Sequence, residues 1–281
     1  MRSFPILVIV LAVHLSLIRT PAAEDLDAAL RQVSRVARTN PPAALKLCDQ
    51  VVTENPSNAQ PFVLRARLKE RAGQFDAAIL DLTQALKLEP QASPYWQGRG
   101  EINFKAGHFK ESVADFDRVL ELVPTQAPYH WQRGISLYYA GRFADGRKQF
   151  ESHRTVNPND VENSAWHFLC AARENSVTNA RASMIAVGTD GRIPMSEIDA
   201  LYRGPGTVEA VLTAARQPGG ARAREALFYA HLYLGLYFEV LGETSKAREH
   251  ILMAASDATA THYMGDVARI HARQFKAAPS K

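Results

Sequence analysis

The chain has 281 residues, of which 46% are hydrophobic and 22% charged, and its formal net charge is +4. This balance is that of an ordinary soluble globular protein, long enough for a sizeable core. Two of the 33 basic residues, Arg2 and Arg19, lie in the N-terminal segment, and the remaining 31 nearly balance the 29 acidic residues. A near-neutral chain lacks the basic excess typical of nucleic-acid binding, which argues against nucleic acid as the main partner.

Residues 1–23 have the pattern of a signal peptide. A basic residue, Arg2, precedes a mostly apolar run from Phe4 to Ile18, and Thr20–Ala23 supplies small residues for cleavage after Ala22 or Ala23. The sequence therefore predicts an exported protein, periplasmic or secreted. The alternative is an uncleaved membrane anchor, for which the apolar run is short, because a bilayer span needs about 20 residues.

The two cysteines, Cys48 and Cys170, are predicted to be buried thiols. They fall several repeats apart, and a disulfide requires Cα atoms within about 7 Å of each other. No CxxC motif indicates zinc binding or redox chemistry, and the sequence predicts no cofactor.

Three consecutive segments of 34 residues, 59–92, 93–126 and 127–160, repeat the same pattern. The eighth place is small, the fifteenth is glycine and the twenty-fourth is bulky; these places are Ala66, Gly100 and Gly134, then Gly73, Gly107 and Gly141, then Leu82, Phe116 and Phe150. Small residues let two helices approach closely, and bulky residues fill the space beside them. Glycine supplies the positive φ that ends a first helix. This is the tetratricopeptide pattern, and it predicts antiparallel helix pairs.

Weaker copies flank these units. Asn40-Pro41-Pro42 is the predicted turn of an N-terminal pair, and Gly188–Gly220 interrupts the repeat, with short helices predicted at Ser196–Tyr202 and Thr207–Arg216. The last amphipathic helix, Tyr263–Phe275, is predicted to cap the stack. The predicted fold is an all-α superhelical solenoid, divided into a signal peptide (1–23), a degenerate pair (24–58), three repeats (59–92, 93–126, 127–160), a divergent segment (161–219), a repeat-like pair with a capping helix (220–276) and a tail (277–281).

Several stretches resemble the NlpI-type lipoproteins of the bacterial cell envelope. They are Arg133–Arg142, Asn157–Asp160 with the helix around Trp166, the insertion Glu197–Ala214, and Phe228–Ala254, so that the resemblance covers residues 59–275. It implies a non-enzymatic adaptor that docks cell-wall hydrolases and a processing protease, often as a homodimer. That family anchors through a lipidated cysteine, which this chain lacks near its N-terminus.

First helices in such arrays line a concave groove. The places expected to face inward include Val63, Glu70, Phe104, Ile135 and Tyr139, and the predicted partner-binding residues are Arg67, Arg71, Gln97, Glu101, Lys105, Trp131 and Tyr138. Arginine and aromatic side chains are common anchors of binding surfaces. The alternative is that Tyr138 and Tyr139 pack against the next repeat and that the basic residues are simply solvated. The residues that clamp chaperone tails are absent, because Val63 and Arg67 stand where Lys and Asn are required.

No catalytic motif is present: the sequence has no HExxH, GxSxG, GxGxxG or GxxxxGK[ST]. His130, His153 and His231 fall at core places and are predicted to be packed, while Asp115 and Asp117 are interpreted as carboxylates on helix faces. The sequence therefore favours an adaptor or scaffold for proteins or peptides. The alternative is an enzyme, or an enzyme subunit, with a site in the irregular segment 189–220.

Overall fold

The computed structural model describes residues 21–277, which form fifteen α-helices and one 3₁₀ helix, with no strand among them. The first 20 residues of the predicted signal peptide and residues 278–281 of the tail lie outside this range. The all-α fold built from consecutive helix pairs is therefore confirmed. None of the described helices has both the length and the hydropathy that a membrane span needs.

The chain divides into two compact units, residues 1–56 and 57–281. In the first unit, α1 (Pro21–Val36) and α2 (Pro41–Glu54) form a pair, with Asn40 capping α2 and two prolines in its first turn, as the Asn40-Pro41-Pro42 turn predicts. Leu26, Val33 and Cys48 are among its buried residues.

The second unit contains the remaining helices, and most of them pack on the helix that follows in the chain. The three regular repeats are α3 (Ala59–Arg71) with α4 (Phe75–Leu88), α5 (Ser93–Ala106) with α6 (Phe109–Leu122), and α7 (Trp131–Tyr139) with α8 (Phe143–Arg154). They are followed by α9 (Val161–Glu174), α10 (Val177–Ser183), α11 (Met195–Arg203), α12 (Val208–Arg216), α13 (Gly220–Val240), α14 (Thr244–Ala255) and α15 (Tyr263–Ala277).

Close helix crossings at the small places are confirmed. A Cβ atom added to Gly100 would lie 2.6 Å from the Phe116 ring, and one added to Gly134 would lie 2.6 Å from the Phe150 ring. Both rings are buried, so each glycine is the only residue type that fits without displacing its neighbour. The turn glycines also behave as predicted; Gly107, with φ of 90°, ends α5 in the left-handed conformation.

Each regular repeat also contains a buried ion pair or hydrogen bond that joins its two helices. Arg99 donates to both carboxylate oxygens of Asp115, at 3.0 and 2.6 Å, and Arg65 binds Asp81 in the same way. Asp115 lies on the face of α6 that packs against α5, where it is only 2% exposed and paired with Arg99. In the third repeat Gln149 replaces the aspartate and accepts from Arg133 at 3.0 Å.

The third repeat begins late. Its first helix starts at Trp131 and is preceded by a 3₁₀ helix, Pro124–Tyr129, which contains Pro128. Proline has no N–H to donate to an α-helical ladder, and two carbonyl groups of this segment are bound from α8: Gln149 donates to the Ala127 oxygen, and His153 Nδ1 lies 2.8 Å from the Pro128 oxygen. His130 and His153 are buried as predicted, whereas His231 is half-buried and its Nδ1 lies 2.8 Å from Nδ1 of His250.

The irregular segment contributes to the core of the second unit. The two predicted short helices correspond to α11 and α12, which bury Ile198, Tyr202 and Val211. Tyr202 donates a hydrogen bond to the Tyr233 carbonyl oxygen at 2.8 Å, which ties α11 to α13. Cys48 and Cys170 are both buried thiols, as the sequence predicts.

Candidate partner-binding face

The first helices α3, α5 and α7 lie side by side and form a surface that we call the inner face. Lys105 Nζ on α5 lies 2.6 Å from Glu70 Oε1 on α3. Gln132 Nε2 on α7 donates to Glu101 Oε1 on α5 at 2.8 Å, and Gln97 Nε2 donates to the same oxygen at 2.7 Å. The middle of the inner face is therefore a network of half-buried polar side chains linking adjacent repeats.

Two of the predicted binding residues, Arg67 and Arg71, are exposed at the α3 end of the inner face. Gln97, Glu101 and Lys105 lie on the face but are engaged in the polar network described above. The structure thus joins Gln97, Glu101 and Lys105 in one polar network and leaves Arg67 and Arg71 exposed on α3.

Tyr138 is buried rather than open to the groove. It is 5% exposed and lies edge-on to the rings of Trp166, Phe143 and Tyr139, with centroid distances of 5.4 to 5.6 Å. Burial raises the pKa of its hydroxyl, which accepts a hydrogen bond from Arg173. The expectation that Tyr138 faces inward is wrong because α9 covers that place. Phe104 and Ile135 are buried as well.

The last helix, α15, packs on α14 at the end of the stack and also lies against the inner face, which the sequence did not predict. The Tyr263 ring stacks on Phe104 at 5.2 Å and meets Trp131 edge-on at 5.0 Å. Lys105 Nζ lies 3.3 Å from Asp266 Oδ2, and the Arg273 guanidinium donates to the Lys105 carbonyl oxygen at 2.6 Å. One amphipathic helix of the chain itself is therefore held by aromatic, ionic and backbone contacts of α5 and α7.

Trp131, the remaining predicted residue, is half-buried and lines a cavity of about 340 Å³. We call this space the aromatic cavity. Five Trp, Tyr and Phe rings line it, together with polar residues of α9 and of the turn before α9. The lining residues are Trp131, Ile135, Phe150, His153, Asn157, Asp160, Glu162, Asn163, Trp166, Tyr229, His262, Tyr263 and Met264. A volume of this size is within the range of small-molecule and side-chain pockets.

An ion network lies at the edge of the irregular segment, where the sequence left room for an enzyme site. The Arg192 guanidinium binds Asp160 and Asp190, each at 2.6 Å, and also Glu162. Burial raises the pKa of Glu162, whereas burial of Asp190 is outweighed by hydrogen bonds from Arg192 and Val161 that lower its pKa. Within residues 21–277, no group of three or more histidine, cysteine, aspartate or glutamate side chains is arranged to hold a metal ion. Arg192 binds all three carboxylates, and Asp190 also accepts a hydrogen bond from the Val161 N–H at the start of α9.

The sequence did not reveal the residues that complete this region. Tyr263, Asp266 and His271 come from α15, and Tyr229 comes from α13. His271 Nδ1 lies 2.8 Å from the Tyr139 hydroxyl, although the two are separated by 132 residues. The aromatic residues among them are visible in the sequence, but the sequence around them does not indicate where the last helix docks.

Comparison with known proteins identifies the type of repeat. The tetratricopeptide repeat family matches residues 63–127. A tetratricopeptide repeat protein from Parabacteroides merdae has a similar structure, with a TM-score of 0.56, 12% identity, and coverage of 88% of this chain and 98% of that one. MamA (residues 41 to its end) from Desulfovibrio magneticus RS-1 matches with a TM-score of 0.51 and 14% identity, covering 57% of this chain and 90% of that one.

Residues 63–127 therefore match tetratricopeptide repeats, and the chain has the helix-pair fold of such proteins, whose stacked repeats create extended concave surfaces. At these identities the structural similarity concerns the fold alone. Among curated proteins, no sequence matches the chain.

Proposed function

We propose that this protein is an exported, non-enzymatic adaptor that binds protein partners through its inner face. The observation that carries the proposal is the seating of α15, since Phe104, Trp131 and Lys105 already hold a helical segment there by stacking and ionic contacts. Aromatic anchors with charged neighbours are the chemistry by which grooves recognise amphipathic helices. Arg67 and Arg71 extend the same surface beyond α15 and are exposed to a partner.

The resemblance to NlpI-type proteins supports a more specific form of this proposal. In that form the partners are cell-envelope hydrolases or a processing protease, and the adaptor acts as a homodimer. The predicted signal peptide supplies the route to the envelope, without a lipidated cysteine. Sedimentation of the purified chain at two concentrations tests the homodimer separately from partner binding.

Affinity capture from envelope extract of the native host tests the proposal. The bait is the mature chain, and the variant Arg67→Glu/Arg71→Glu reverses two charges on the inner face. The matched control, Lys110→Glu/Lys148→Glu, makes the same charge change at exposed positions on the second helices α6 and α8. We expect hydrolases or proteases among the captured proteins, with recovery reduced by the inner-face variant and retained by the control.

Equal recovery by both variants would contradict the assignment of the inner face. Turnover of a cell-wall or peptide substrate by the purified chain alone would instead support the enzyme alternative.

A further inference from the structure

The aromatic cavity has properties that the scaffold function does not account for. Its walls include Trp131, Phe150, Trp166, Tyr229 and Tyr263, which come from the five helices α7, α8, α9, α13 and α15. Phe150 stacks on Trp166 with an interplanar angle of 19°, and Trp131 meets Tyr263 edge-on. These rings surround the cavity without filling it, so a ligand in the cavity would contact several aromatic rings.

Negative charge lies on one side of the cavity. Asp160 and Glu162 line it, and Asp190 binds the same Arg192 guanidinium as they do. Arg192 is the cation that binds all three carboxylates, so the cluster contains more acidic than basic groups. Trp and Tyr faces attract cations, and the attraction strengthens in a site shielded from water.

We propose that the aromatic cavity binds the cationic side chain of a lysine or arginine in a bound protein segment. The aromatic rings hold the apolar stem and the charged head, and the carboxylates balance the charge. An acidic side chain would be repelled by the carboxylates, and a neutral one would leave their charge unbalanced.

This inference rests on the proposed function, because the cation belongs to a protein partner that also contacts the inner face. Trp131 belongs to both the inner face and the aromatic cavity, because it contacts Tyr263 of α15 and lines the cavity.

The test uses a small probe, N-acetyl-arginine N-methylamide, titrated into the full mature chain by calorimetry. Its neutral isostere, the corresponding citrulline derivative, has the same shape without the charge. We expect the arginine probe to bind with a Kd on the order of 1 mM. It should bind about 10-fold more tightly than the citrulline probe, consistent with a cation–π contribution, and its affinity should fall as salt is added.

Two variants locate the site. Trp131→Leu and Glu162→Gln should each weaken arginine binding about 3- to 10-fold, by removing a π face or a negative charge. The glutamine retains an acceptor for Tyr233, whose hydroxyl donates to Glu162 at 2.6 Å, so this variant should keep its fold. The control is Trp96→Phe on α5, because Trp96 packs over Arg99 and donates to the Pro90 carbonyl oxygen, outside the cavity lining.

Equal affinity for the two probes, no binding of either, or an unchanged affinity in Glu162→Gln would overturn the inference. Its failure can be told apart from failure of the proposed function. Partner capture without arginine binding rejects the cavity alone, whereas arginine binding without any inner-face partner rejects the adaptor.

Discussion

The Gly134 position offers the sharpest test of the helix packing. A Cβ atom at Gly134 on α7 would lie 2.6, 2.8 and 3.0 Å from three carbon atoms of the Phe150 ring. Phe150 is 1% exposed and is stacked on Trp166, so moving its ring away from an added methyl group would disturb that stack. Gly134→Ala is therefore expected to destabilise the fold through a single added methyl group.

Gly98 provides a matched control on α5. A Cβ atom there would meet only Leu82 Cδ1, at 3.8 Å, which is an ordinary contact. Overpacking a core costs about 1–3 kcal/mol, whereas replacing glycine with alanine inside a helix gains about 1 kcal/mol. Gly98→Ala should therefore be neutral or stabilising, and Gly134→Ala should be less stable than it by about 1–3 kcal/mol.

The difference is measured by thermal unfolding followed by far-UV circular dichroism. At about 2–4 °C per kcal/mol for a chain of this size, the two variants should differ in Tm by about 2–12 °C. Adding Phe150→Leu makes room, so Gly134→Ala should cost less in that background, which a double-mutant cycle quantifies. Identical melting of Gly98→Ala and Gly134→Ala would refute the assigned contact between α7 and α8.

Three further predictions concern acid stability, the position of α15 and export. Burial lowers the pKa of His130 to about 4. As pH falls from 6.5 towards 4, the unfolded chain binds a proton at this residue before the folded chain does, so the free energy of unfolding decreases, by about 2 kcal/mol at pH 5. In His130→Asn, the free energy of unfolding measured with denaturant should therefore depend less on pH over that range. A zero-length carbodiimide cross-link should join Lys105 to Asp266, with Lys105–Glu70 as the internal positive control, and mass spectrometry that finds only the latter would remove α15 from the inner face. N-terminal sequencing of protein from the native host should begin at Ala23 or Glu24, and an intact Met1 on membrane-bound protein would indicate an anchor instead.

The repeats were predictable because their decisive contacts are local. Gly134 meets Phe150 only sixteen residues along the chain, and the same pair of places recurs at Gly100 and Phe116. The Arg99–Asp115 ion pair has the same sixteen-residue spacing and recurs as Arg65–Asp81. It could have been found from the sequence by searching the repeat for opposite charges rather than for bulk alone.

The candidate site was less predictable because distant elements decide which side chains stay open. Tyr138 occupies an inward place, but Trp166 of α9 covers it. The repeat pattern does not indicate that Tyr263 of α15 returns to Trp131, because a terminal helix docks through surface complementarity rather than periodicity. Arg67 and Arg71, by contrast, lie on α3 and are exposed.

The most direct test of the central claim is hydrogen–deuterium exchange of the chain with and without a captured partner. Binding through the inner face should slow exchange in α3, α5 and α7, because a partner shields these first helices and suppresses their local opening. The second helices α4, α6 and α8 should change little. Protection confined to α4, α6 and α8, or to the irregular segment 189–220, would contradict the proposal that this protein binds its partners through the inner face.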